Sequence, residues 1–195
     1  MEPLHFGVKR VKKEPNDQLD ACKLLGTPVM PADFFEGLGL DEGAYFVAQI
    51  RCDQFPAREP FPNKGYLYFF LDIDTLKPKV AYTEKEPEEL IDDVNASFDK
   101  DSCGDPTCLQ MDFSVDGGNR LFGDVDLDIG LEGDTVTAGK LCLLELDALS
   151  LPQGKQKPLT FGDFGMGDGH WVFLIREEDL KARRFDKVEF IETEV

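Results

Sequence analysis

The sequence predicts an α+β protein, mostly antiparallel β, in which two similar sheet-containing halves pack into one globular unit with a few short helices. Two observations predict this class. Short apolar segments rich in β-branched and aromatic residues recur between Gly and Pro turns, and their order in the first half repeats in the second. We therefore expect an internal duplication packed across a shared core.

Three segments of the first half predict a meander of strands. Residues 44–52 and 65–72 are apolar and bounded by Gly or Pro, and residues 79–83 alternate charged and apolar side chains. After them, residues 87–97 carry apolar side chains at helical spacing behind a leading Pro. This pattern predicts a short amphipathic helix.

The second half follows the same plan. Residues 140–147 and 170–176 are apolar strand candidates that parallel the first two strands of the meander. Residues 177–185 place acidic side chains first and basic ones last, the order that a helix dipole favours. Residues 187–191 alternate apolar and polar side chains and predict a terminal strand.

These segments define the expected domain organisation. Residues 1–20 are polar and predict a flexible N-terminal lead-in, and residues 21–195 form a single domain. Within that domain, two pseudo-repeats at about 21–98 and 119–195 are joined by an acidic loop that contains Gly and Pro.

Charge and cysteine usage limit the partners and the compartment. The 195 residues carry a formal net charge of -18, which repels nucleic acids and anionic membranes. The five Cys are odd in number and irregularly spaced, which is typical of a reducing cytoplasm. The first 20 residues lack the apolar segment of a secretion signal. We expect a cytoplasmic protein, although the Lys9 to Lys13 run is either a solvated tail or a nuclear address.

The chain resembles the YwqG-like proteins, an uncharacterised family. The resemblance spans most of the chain and depends on the order of several motifs: Leu25-Gly26-Thr27-Pro28 with Pro31, Phe46-Val47-Ala48-Gln49-Ile50, residues 61–70, Lys79-Val80-Ala81-Tyr82, Leu121-Phe122-Gly123-Asp124, residues 143–147, Gly162-Asp163, residues 172–175, Asp179-Leu180 and Arg184-Phe185. Glu145 stands where the family usually has Gln, and Phe161 where a Trp is common. The resemblance implies antiparallel sheets and supplies no catalytic residue.

Histidine is scarce, which limits the available chemistry. The chain has two His, His5 and His170, so a multi-His metal site or a His-centred triad has little material. His170 beside Trp171 is either a lone general base or a structural residue at the start of a strand. We expect no metal and no cofactor.

Carboxylates are the other candidate site residues. Asp124, Asp126 and Asp128 alternate with apolar residues and would share one face of a strand, either as a solvated surface or as a cation or acid–base site. Asp163 lies in a Gly-rich segment that either forms a tight loop or borders a pocket. Residues 99–104 imitate the opening of a calcium loop, but Cys103 and Gln110 replace required oxygen ligands.

Two classes of function remain from the sequence. The leading hypothesis is a non-catalytic interaction module whose acidic surface binds a protein partner, and charge favours a basic one. The alternative is a hydrolase or metal-dependent enzyme, or a small-ligand binder, with a carboxylate-lined cleft between the halves. The candidate cleft residues are Gln49, Asp124, Asp126, Asp163, His170 and Trp171. Substrate, partner identity and oligomeric state stay open.

Overall fold

The structure, a computed structural model, describes residues 1–10, 21–41, 43–72, 74–91, 109–125, 137–147 and 169–193. Its strands are β1 (Leu4–Arg10), β2 (Lys23–Leu24), β3 (Val29–Met30), β4 (Ala44–Arg51), β5 (Tyr66–Asp72), β6 (Lys77–Thr83), β7 (Glu89–Leu90), β8 (Leu109–Asp112), β9 (Asn119–Asp124), β10 (Lys140–Asp147), β11 (His170–Arg176) and β12 (Glu189–Thr193). The helices are α1 (Ala32–Leu38) and α2 (Glu177–Lys181), with 3-10 turns at Cys52–Gln54 and Phe185–Lys187.

Ten of these strands form one antiparallel sheet. Their order is β12, β11, β10, β9, β1, β8, β2, β4, β5, β6, and β3 pairs with β7 in a separate two-stranded sheet. The two end strands, β6 and β12, lie against each other, so the sheet curls into a nearly closed cylinder. The ring of Tyr82 on β6 lies 5.5 Å from that of Phe185, which precedes β12. Closure of this kind leaves little exposed edge for unwanted strand pairing.

The inner face of the sheet forms the main hydrophobic core, and this core is shared by both halves of the chain. Phe69 on β5 meets Phe173 on β11 with ring centroids 5.2 Å apart, and Phe61 stacks on Phe122 at 4.8 Å. Each fully buried Phe contributes on the order of 2–3 kcal/mol relative to exposure. The core therefore joins strands from both halves of the chain.

The outer face carries two smaller apolar clusters. On the first half, Phe46, Tyr68 and Phe70 pack with Met30 and Leu38, so α1 and β3 cover this part of the sheet. On the second half, the outer cluster contains Cys142, Val172 and Leu174. Alternate residues of each strand thus enter different clusters, as a pleated strand requires.

Two hairpins of the sheet share the same register and the same irregularity. The β4–β5 pairing shifts by one residue at Val47, and the β10–β11 pairing shifts by one at Leu143, which is likewise the fourth residue of its strand. The other edge of β4 pairs with β2, and the other edge of β10 pairs with β9. Each of these pairings places a cationic residue, Lys23 or Arg120, opposite the residue two positions after the extra one. A leucine and then a residue with positive φ follow each cation, Leu25 at 55° and Phe122 at 53°.

The sequence-based expectation of mostly antiparallel β-structure is confirmed, and so is the meander of β4, β5 and β6. Helices are few in the described residues, so an α+β class fits only loosely. The strands β10 and β11 begin and end where the sequence predicted. The internal duplication stays a prediction.

The N-terminal segment departs from expectation. A flexible lead-in was predicted for residues 1–20, and this is wrong for Leu4–Arg10, which form β1 between β8 and β9 at the centre of the sheet. Phe6 is fully buried, because β1 is paired on both edges and points this ring into the core. Residues 11–20 lie outside the described part of the chain.

Two connections also differ from expectation. The helix predicted over 87–97 is wrong at Glu89–Leu90, which form β7 against Val29–Met30, and residues 92–97 lie outside the described residues. The connection predicted between the halves contains a strand, β8, which pairs with both β1 and β2. In both places pairing with a distant strand overrides the local pattern.

No helix within the described ranges has the length and the apolar character that crossing a membrane would require.

Candidate functional site

Gln49 is a fully buried amide on the outer face of β4 that binds backbone. Its Oε1 accepts a hydrogen bond from the Val29 amide at 2.9 Å, and its Nε2 donates to the Ala21 carbonyl at 3.4 Å. The amide thus holds the start of β3 against the sheet. A buried side-chain amide with both of its ends bonded is typical of a structural role.

Two further polar side chains of the first half bind the same segment. Lys23 is buried, and its Nζ donates to the Thr27 carbonyl at 2.7 Å. The hydroxyl of Tyr68 donates to the Val29 carbonyl at 2.8 Å. Together with Gln49, these side chains satisfy backbone groups of residues 27–29. The first half therefore uses its buried polar groups to fix a loop.

Glu145 occupies the matched position of the second half, and it has different partners. Its side chain is buried on β10, with Oε1 at 3.0 Å from Nδ1 of His170 and Oε2 at 3.8 Å from Nη1 of Arg120. Burial raises the pKa of the Glu145 carboxyl, while Arg120 and then His170 oppose this rise. The three side chains form a cluster that we call the Arg120–Glu145–His170 cluster.

His170 is a partly exposed member of the cluster. It begins β11, where its backbone amide donates to Oγ1 of Thr193 at 3.3 Å. Its side chain is 27% exposed. Nδ1 faces Glu145, and no other described residue bonds to Nε2. A carboxylate on Nδ1 of a partly exposed imidazole is one element of a positioned general base.

Trp171 does not share a site with His170. Successive residues of a strand point to opposite faces, and Trp171 belongs to the inner core, where its ring meets that of Phe190 at 5.7 Å. Its Nε1 donates to Oε1 of Glu192 at 3.1 Å. The inner position and the buried ring favour a packing role.

Asp124 is exposed and holds the beginning of the chain. Its carboxylate pairs with the amino group of Met1, and its backbone amide donates to the Met1 carbonyl at 2.9 Å. The other predicted carboxylates, Asp126, Asp128 and Asp163, lie outside the described residues. Within the described ranges, no three residues of the types His, Cys, Asp and Glu are placed to hold a metal ion.

The structure therefore does not bring the predicted cleft residues that it describes into one site. Gln49 on β4 and His170 on β11 are separated in the sheet by β2, β8, β1, β9 and β10. Asp124 and Trp171 have their own partners, as given above. The residues that do surround His170, Arg120 and Glu145, were absent from the predicted set.

One signal in the sequence could have found Glu145. It is the single charged residue between the apolar residues of 141–146, and a charged side chain in a continuous buried strand needs a partner. Arg120 carries no comparable signal, because only the strand register places it opposite Glu145.

Comparison with known families found a match over part of the chain. Residues 22–116 match a family described as "Domain of unknown function (DUF1963)". The match covers β2 to β8, slightly less than half of the chain, and the description names no activity. It is compatible with the YwqG-like resemblance, which stays a prediction. No curated protein matches the chain. Arg120, Glu145 and His170 all lie beyond the matched residues.

Proposed function

We propose that this protein is a non-catalytic interaction module whose acidic surface binds a basic protein partner. The observation that carries the proposal is the net charge of -18 on 195 residues. A field of this sign attracts cationic partners and accelerates their association at low salt.

Most cations on the described surface form ion pairs with carboxylates. Each pair has no net charge, so the negative excess is carried by the other carboxylates. The ion pairs are Lys9–Asp112, Arg51–Asp53, Lys64–Glu84, Lys77–Asp41, Lys85–Asp33, Lys140–Glu189, Lys181–Glu177, Arg184–Asp179 and Lys187–Asp186. Exposed carboxylates without an ion pair among the described residues include Glu36, Asp74 and Glu88. These carboxylates are available to a partner's Lys and Arg side chains.

The interior of the first half supports a binding role. Its buried polar groups, Lys23, Gln49 and Tyr68, are bonded to backbone of residues 21–29. Groups that are used to hold a loop in place are poor candidates for acid–base chemistry. A rigid, charged scaffold is what an interaction module requires.

The test is partner capture at physiological salt, followed by binding of the purified partner. The proposal predicts a basic partner, saturable binding with a fixed stoichiometry, and an association rate that falls as salt increases. The triple variant Glu36→Lys, Asp74→Lys, Glu88→Lys moves the net charge from -18 to -12, since each reversal removes two negative charges. We expect it to slow association by about tenfold.

A matched control keeps the net charge constant. Exchanging Lys64 and Glu84, an exposed ion pair, reverses two charges with no change in their sum. This exchange should leave the association rate close to that of the original protein. Binding that disappears at physiological salt, or that the triple variant leaves unchanged, would contradict the proposal.

We also infer that the two halves arose by duplication. The shared extra residue at Val47 and Leu143, the facing cations Lys23 and Arg120, and the like-signed φ of the residues that follow support this inference. The strand β1 would then take, beside β9, the place that β8 takes beside β2.

A further inference from the structure

The matched positions of the two halves hold different chemistry. Gln49 and Glu145 each stand two residues after the extra residue of their strand, opposite Lys23 and Arg120 respectively. Tyr66 and His170 also occupy matched positions. Each begins the second strand of its hairpin and pairs with the residue two positions after Gln49 or Glu145. The first half has an amide that binds backbone, whereas the second half has a carboxylate that binds an imidazole.

We propose that the Arg120–Glu145–His170 cluster is an acid–base site in which Glu145 positions the imidazole and Nε2 of His170 accepts a proton from a bound O–H group, water or an alcohol. This inference goes beyond the interaction module proposed above and replaces its non-catalytic character for this part of the second half. Binding of a basic partner by the acidic surface does not use these three residues.

The hydrogen bond to Glu145 determines which ring nitrogen reacts. When Nδ1 carries the proton and donates it to Oε1 of Glu145 at 3.0 Å, the lone pair lies on Nε2. The side chain that carries this lone pair is 27% exposed, and no hydrogen bond within the described part of the chain occupies Nε2. Glu145 is thus a positioning residue, and it acts on the ligand only through His170.

The proton transfer is balanced within the cluster. The O–H bond of the ligand breaks, its proton moves to Nε2, and its electron pair stays on the oxygen. The imidazolium that forms is stabilised by the adjacent Glu145 carboxylate, as in other carboxylate–histidine pairs. No oxidant or reductant takes part.

The charges that face Glu145 come from three strands. Arg120 on β9 and His170 on β11 favour the ionised carboxylate, whereas Asp147 on β10 opposes it. Burial of the carboxyl is the largest influence and favours the protonated form. Loss of Arg120 or His170 would therefore favour the protonated carboxyl.

His5 supplies an internal control. Its Nδ1 lies 3.4 Å from Oδ1 of Asp116, but both side chains are more exposed than those of the cluster, at 37% and 75%. A carboxylate that is mostly in water orients and activates an imidazole weakly. The two histidines of the chain therefore differ in the burial of the carboxylate beside them.

Diethyl pyrocarbonate measures the reactivity of each unprotonated imidazole. The Nε2 lone pair attacks a carbonyl carbon, the bond to the ethyl carbonate group breaks, and that group leaves as carbon dioxide and ethanol with the displaced ring proton. Peptide mass spectrometry then follows modification of His5 and His170 separately at about pH 8, where an ordinary imidazole is neutral.

We expect His170 to react faster than His5 although it is less exposed. Glu145→Gln should slow His170 several-fold and leave His5 unchanged, whereas Asp116→Asn should leave His170 unchanged. Arg120→Gln is a second variant, and it should also alter the modification rate at His170 alone. The modification rate of His5, which lies on β1, reports whether each variant is folded around that strand. A His170 that reacts more slowly than His5, or whose rate ignores both Glu145→Gln and Arg120→Gln, would overturn the proposal.

Discussion

Gln49 and Glu145 occupy the same place in two hairpins of shared register, and both side chains are buried. Gln49 bonds to the backbone of Val29 and Ala21, while Glu145 bonds to the ring of His170. One position thus stabilises a loop and the other holds a titratable pair. Variants at the two positions should therefore have different consequences.

Replacing Gln49 with Ala should destabilise the fold. The change leaves the Val29 amide and the Ala21 carbonyl without their side-chain partner, and the buried Val29 amide costs about 1–3 kcal/mol when it is unsatisfied. Urea denaturation measures the loss in the free energy of unfolding. Asn63→Ala, which removes an exposed amide before β5, is the control and should change stability by less than about 1 kcal/mol.

Replacing Glu145 with Gln should flatten the pH dependence of stability. Because burial raises the pKa of the Glu145 carboxyl, the folded state binds this proton more tightly than the unfolded state does. The resulting stability is fully present below the ordinary Glu value of about 4.3 and is lost as pH rises through the higher folded value. Glutamine has no such proton.

The comparison needs unfolding free energies of both proteins between about pH 5 and pH 8, the range above the ordinary Glu value. The difference between Glu145→Gln and the original protein should move in favour of the variant as pH rises. Glu178→Gln removes an exposed carboxylate and should show no such trend. A difference that moves the opposite way would mean that the carboxylate is stabilised in its charged form.

Adding a methyl group at Gly123 should disturb the first residues of the chain. A Cβ at this position would lie 2.6 Å from the Cα of Pro3, so backbone has to move, at a cost of about 1–3 kcal/mol. Gly37→Ala is the matched control, because its Cβ meets nothing within 4 Å and Ala favours the helix α1 by about 0.5–1 kcal/mol. Thermal unfolding should show a lower midpoint for the first variant and an equal or higher one for the second.

Truncating Phe6 tests the central position of β1. The ring is fully buried in the core and lies 5.4 Å from that of Phe113, so Phe6→Ala should cost about 3–5 kcal/mol in unfolding free energy. Val115→Ala, at a side chain that is 51% exposed, should cost less than about 1 kcal/mol. Similar small losses from both substitutions would mean that β1 is not part of the core.

The strands that the sequence predicted are those with long apolar runs. β5 and β11 are buried on both faces along most of their length, so their residues are nearly all apolar and the pattern is clear. β1 and β8 were missed because each lies in a polar stretch of sequence and acquires its place only through pairing with distant strands. Local pattern carries no information about such partners.

The candidate site was predicted less well for the same reason. His170 was recognised from its residue type, but its partners Glu145 and Arg120 come from two other strands that the register of the sheet brings together. His170 and Trp171 were both candidate pocket residues, and the geometry of the strand sends these neighbours to opposite faces of the sheet. Asp126 and Asp163 stay predictions, since they lie outside the described residues.

The most direct measurement is the ¹⁵N NMR spectrum of protein labelled at histidine, recorded at about pH 8, where an ordinary imidazole is neutral. The chain has only two His, so His5→Gln assigns the signals of His170 without ambiguity. If Glu145 positions His170, Nδ1 carries the proton and Nε2 appears unprotonated, and Glu145→Met shifts the population toward the opposite tautomer. A proton on Nε2 in the original protein, unchanged in Glu145→Met, would contradict the acid–base site.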